Sequence, residues 1–122
     1  MAAVSDIYGN RIQLTCNSEE AGISMQFRFA ADAWSQINVS SVSGVVFGTN
    51  AIKQSMGIPY VIPQEQVLVL EDVVSTEVLQ ALRNDKALSI QVRSQSGEKN
   101  YLMKFSLSGS NIAIQNLLSV CQ

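Results

Sequence analysis

The chain contains no histidine among its 122 residues. That removes the commonest general base near neutral pH and the commonest transition-metal ligand together. Two cysteines cannot by themselves close a zinc site. Charged residues make up only 15% of the sequence, against about 25% in ordinary soluble domains. The eight Lys and Arg stand singly, and the net charge is −2. No basic footprint for nucleic acid or anionic lipid results, so no nucleic-acid partner is expected. No apolar run reaches the roughly 18 residues that span a bilayer, so no transmembrane segment is expected. The opening Met1-Ala2-Ala3-Val4-Ser5-Asp6 lacks the basic and apolar regions of a signal peptide. A cytoplasmic chain, or the mature part of an exported one, fits that start.

Recognisable chemistry is scarce as well. Serines are numerous, but no G-x-S-x-G occurs and no histidine is present to activate one. Gly44 and Gly48 do not form a phosphate-cradling loop, and no cofactor is implied. Glu19-Glu20 and Glu71-Asp72 are adjacent carboxylates. Neighbours on a strand point to opposite faces, so neither pair is arranged to share a proton. A Ser-Lys hydrolase would have to use Lys53, Lys86, Lys99 or Lys104, all in polar contexts. The chain is therefore expected not to be an enzyme.

What the sequence does have is alternation. Apolar residues reach 47%. Ile12, Leu14 and Cys16 alternate with Arg11, Gln13 and Thr15, and Ile23, Met25, Phe27 and Phe29 alternate with Ser24, Gln26 and Arg28. Both runs carry the period of a half-buried strand, and the polar residues between them make a hairpin turn. Ala30 to Ser35 interrupts the pattern, and a strand is expected to resume at Ile37, Val39 and Val42. Asn38-Val39-Ser40 matches a glycosylation sequon, which matters only in a eukaryotic secretory host. Gly48 to Gln66 is irregular, with room for a short edge strand at Tyr60 to Ile62 where proline is tolerated. Val67 to Val74 reads as a further strand.

The block from Ser75 to Cys121 organises the rest. Ser75 or Thr76 caps a helix whose apolar face is Val78, Leu79 and Leu82. Leu88, Ile90 and Val92 lead into a turn at Gln95-Ser96-Gly97-Glu98, and Tyr101, Met103, Phe105 and Leu107 return from it as a hairpin. Ile114, Leu117, Leu118 and Cys121 then form one stripe on a closing helix. The expected fold is mainly β, an antiparallel β-sandwich with two short helices, the second at the C-terminus. One domain is expected over residues 1–122, with 1–10 a loosely held arm.

Cys16 and Cys121 both fall on apolar faces and point toward one core. A disulfide between them would close a loop of roughly 105 residues, worth up to about 4.7 kcal/mol on the chain-entropy model, and would place the chain in an oxidising compartment. The alternative is a pair of unpaired buried thiols.

The run Val78-Leu79-Gln80-Ala81-Leu82-Arg83, then Leu88-Ser89-Ile90-Gln91-Val92, then Phe105-Ser106-Leu107-Ser108-Gly109, with Ala113, Leu117 and Cys121, resembles the bacterial invasion-associated locus B family. Gly57-Ile58-Pro59 to Leu70-Glu71-Asp72 is similar to that family's stretch before the helix. The resemblance implies an immunoglobulin-like β-sandwich and an exported, periplasmic or surface protein linked to invasion or envelope functions, with no established enzymatic activity. The chain departs from the pattern at Asp85-Lys86, where members have glycine, and lacks their mid-chain cysteines. Small periplasmic accessory and immunity proteins share the same C-terminal ending.

These readings converge on an exported, non-enzymatic protein that binds another protein at the envelope or outside the cell. A periplasmic inhibitor or immunity protein is the alternative. Candidate partner-binding residues are Trp34, Met56, Ile58 and Tyr60, large apolar or amphipathic side chains outside the clear strands. The alternative is that Trp34 plugs one end of the sandwich and Tyr60 covers the other, and a lone tryptophan in a small domain is more often core.

Overall fold

The computed structural model describes residues 2–6, 8–17, 22–37, 41–70, 74–95, 100–107 and 111–121. The carboxylate pairs Glu19-Glu20 and Glu71-Asp72, the Asn38 sequon and the Ser96-Gly97-Glu98 turn lie outside them. The strands are β1 (Ala2–Ser5), β2 (Arg11–Asn17), β3 (Gly22–Arg28), β4 (Val42–Gly48), β5 (Lys53–Ser55), β6 (Tyr60–Ile62), β7 (Val67–Val69), β8 (Ala87–Ser94) and β9 (Tyr101–Ser106). The helices are α1 (Ala31–Ser35), α2 (Thr76–Asn84) and α3 (Asn111–Cys121).

The strands form a five-stranded sheet in the order β1-β2-β3-β7-β6 and a four-stranded sheet in the order β5-β4-β8-β9. All pairings are antiparallel. The two faces that meet are those the alternation marks. Ile12 lies opposite Phe27, which lies opposite Leu68; Phe47 lies opposite Ile90, which lies opposite Met103. All six are buried in one cluster that also takes Val78, Ala81 and Leu82 of α2 and Ile114, Leu117 and Leu118 of α3. The architecture is thus an antiparallel β-sandwich with its last helix at the C-terminus.

The helices sit where the sequence punctuates. Ser75 caps α2, its Oγ accepting from Val78 N–H at 3.3 Å, which satisfies one of the helix's free donors. The α3 helix packs on β1, β2, β3 and α2.

Several expectations need correction. Within the arm expected over residues 1–10, Ala2–Ser5 is held: β1 pairs with β2 from Ala2↔Leu14 to Ser5↔Arg11, and Val4 is 2% exposed. Ala31–Ser35 is a third helix; of the strand expected at Ile37, Val39 and Val42, Val39 lies outside the described residues and Val42 begins β4. Ile37 N–H instead closes on Trp34 O at 3.2 Å. The strand expected over Val67 to Val74 ends at Val69, although Leu70 N–H and Val74 N–H still donate to Met25 O and Ile23 O of β3.

Candidate partner-binding surfaces

The four candidate residues part into two kinds. Trp34 is half-buried and packs on the core, its ring 5.7 Å from that of Phe29. Met56 is half-buried too. Its N–H donates to Val45 O at 2.8 Å, and its side chain helps line a cleft of about 300 Å³ with Leu70, Val74 and Val78. Ile58 and Tyr60 face solvent, at 70% and 46% exposed.

Local geometry explains the division. Residues 56–60 carry the chain from the β5 edge of one sheet to the β6 edge of the other. Gly57 turns with φ +89°, a conformation glycine adopts without steric cost. Pro59 is buried while both its neighbours are exposed, so a fixed proline throws Ile58 and Tyr60 outward. Tyr60 then begins β6, an edge strand whose outer side is unpaired among the described residues.

The outer face of that sheet extends the apolar area. Tyr60 lies opposite Val69, and Ile62 lies opposite Val67. Val67 is only 1% exposed yet is not part of the interior cluster; it lies opposite Arg28 on one side and Ile62 on the other. Arg28 lies beside Val67 and Arg11 beside Arg28 in the same cross-strand row. The result is an apolar strip with a basic flank, a composition found at the centres of protein interfaces.

The other polar construction is a hub at Asn10, which is 0% exposed. Its Oδ1 accepts from Ala30 N–H at 3.0 Å, and its Nδ2 donates to Asp6 Oδ2 at 2.8 Å and to Tyr101 Oη at 3.4 Å. Asp6 Oδ1 accepts in turn from the N–H of Tyr8 and of Asn10. These bonds satisfy a buried amide and tie the β1–β2 turn to α1 and β9. No group of three or more metal-ligating side chains occurs among the described residues.

Cys16 and Cys121 form a disulfide with a Cα–Cα distance of 5.5 Å. The bond lies at the rim and not in the core: Cys16 is exposed and Cys121 half-buried. Cys16 is the last position of β2 on the inward-facing side, and the disulfide joins it there to the end of α3.

No protein-family model matches this sequence, and no curated protein matches it. A solved structure is similar to the chain: that of invasion associated protein B from Bartonella henselae. The TM-score is 0.63 at 17% identity, covering 97% of this chain and 82% of that one. The likeness is one of fold, and it agrees with the β-sandwich that the sequence resemblance implies. No described helix is long and apolar enough to cross a membrane.

Proposed function

We propose that this protein is an exported, non-enzymatic bacterial factor, periplasmic or secreted, that binds another protein through the Ile58–Tyr60 edge of its larger sheet. The observation that carries the reading is the pair Ile58 and Tyr60, held out on either side of the buried Pro59 at an unpaired edge. Ile62 and Val69, both half-buried on the same face, widen that edge into an apolar strip. Export is supported by the disulfide, which persists in oxidising compartments. The fold shared with an invasion-associated protein supports a virulence-related role. A non-enzymatic role is supported by the missing histidine.

The test is a photo-cross-linking residue placed at position 60 or at position 15 of the protein exported in its source bacterium. Thr15 is exposed on β2, away from the apolar strip. An adduct of one defined mass from position 60 only, lost in Ile58→Ser, is the expected result. Identical adducts from both positions, or none, would overturn it. Turnover on an ester or peptide panel that disappears on substituting one lysine would replace it with a Ser-Lys hydrolase.

A further inference from the structure

Among the described residues the carboxylates Asp6, Asp32, Glu65, Glu77 and Asp85 all fall outside the strands, whereas the cations Arg11, Arg28, Lys53, Arg93 and Lys104 stand on them. The consequence is sharpest on the four-stranded sheet. Lys53 lies opposite Gly48, Gly48 opposite Ser89, and Ser89 opposite Lys104. One row across the whole sheet therefore has a lysine at each end and two small residues between. A Cβ on Gly48 would come within 3.0 Å of Ser89 Oγ, so the bare backbone there makes a trough. The next row, Ser55, Val46, Gln91 and Leu102, walls it with an apolar side chain, Leu102, that is 52% exposed. The far wall is the loop after β4. Thr49 fixes it, with Thr49 N–H donating to Ile52 O at 2.8 Å and Thr49 Oγ1 accepting from the N–H of Ala51 and Ile52. The open trough has a volume of about 500 Å³. Arg93, opposite Gly44, adds a third cation to the same outer face.

We infer that this trough takes an acidic, extended segment of a protein partner, laid across the strands with one carboxylate at Lys53 and another at Lys104. The proposal rests on the reading of the chain as a protein-binding module, and adds a second surface to it. Charge complementarity selects the occupant: the face carries three cations and its strands carry no anion, in a chain whose net charge is −2. Spacing refines the choice. Three inter-strand steps separate the lysine backbones by about 14 Å, and four residues of extended chain cover about 13 Å. Residues four apart on an extended chain also point to the same side. A segment with acidic residues at i and i+4 and small or apolar residues between therefore meets both lysines and lays its backbone over Gly48.

The test is fluorescence anisotropy of the intact, oxidised protein with a labelled peptide Glu-Ser-Val-Ser-Glu in a longer neutral frame. The same frame with Lys for both Glu is the control. Binding of the acidic peptide alone is expected, weakening about tenfold in Lys53→Glu/Lys104→Glu and falling as salt rises from about 50 to about 300 mM. The double variant Gly48→Val/Ser89→Ala, which fills the trough while making room for the new side chain, should weaken binding similarly with an unchanged circular dichroism spectrum. Arg83→Glu on α2, exposed and outside both surfaces, should leave it unaltered. The inference is overturned if Arg83→Glu weakens binding equally, or if filling the trough has no effect. It is overturned too if a sulfated oligosaccharide or anionic vesicles bind in preference, or if no peptide binds below about 1 mM. A surviving position-60 adduct with no peptide binding sinks only the acidic trough. The reverse pattern sinks only the Ile58–Tyr60 edge.

Discussion

Asn10 and Ala30 are joined by a hydrogen bond from the backbone N–H of Ala30 to the buried side-chain oxygen of Asn10, at 3.0 Å. The bond anchors the start of α1, which has no side-chain cap of its own, to the turn between β1 and β2. Asn10→Ala leaves that N–H without its acceptor and opens space between Asp6 and Tyr101. A loss of about 2 kcal/mol is expected, measured as a lower urea midpoint. Asn10→Asp, which keeps the acceptor but loses the donor to Asp6, should also destabilise.

The disulfide closes a sequence separation of 105 residues. Its removal in Cys16→Ser/Cys121→Ser should cost up to about 4.7 kcal/mol, with α3 showing the largest rise in amide exchange. Because Cys16 is exposed, a soluble phosphine should reduce the bond without denaturant. Mass spectrometry after alkylation should show two adducts after reduction and none before it.

Alternation along β2, β3, β8 and β9 was legible because each strand has one wet and one dry face, so burial and sequence share a period of two. The elements that escaped have no such imprint. Strand β1 is Ala-Ala-Val-Ser, whose small residues gain their order from pairing with β2. Strand β5, Lys-Gln-Ser, has no apolar residue and exists by register against β4. Helix α1 is five residues long with alanine at its N-cap, and no local signal announces it. Of the binding surfaces, Ile58 and Tyr60 could be suspected from the prolines around them. The Lys53–Lys104 trough could not, because strand order alone joins residues so far apart in the chain. The cysteines pair as their faces imply, but their exposure depends on where sheet cover ends.

Gln66 adopts φ +58°, a left-handed conformation that costs a non-glycine residue about 1 kcal/mol. Its backbone nevertheless makes two bonds, its N–H donating to Pro63 O and its O accepting from Phe29 N–H. Gln66→Gly keeps both and relieves the strain, so a gain of about 1 kcal/mol is expected. Gln66→Val should destabilise. Thermal melts of the two variants should move in opposite directions.

Trp34 separates stability from recognition. Its packing on Phe29 and the core makes Trp34→Ala a partial cavity, with an expected loss of about 2 kcal/mol. The adduct from position 60 should persist at temperatures where the variant stays folded. Tyr60→Ser should show the opposite: an unchanged urea midpoint and a weakened partner.

The bond between Cys16 and Cys121 turns residues 16–121 into a covalent ring. A protease that nicks one exposed loop opens the ring without releasing any fragment, and the two halves stay held by the disulfide and by the shared core. Shedding a piece of the ring takes a second cut or a reductant. A nicked molecule should therefore keep its intact mobility on a non-reducing gel and separate into two bands on a reducing one.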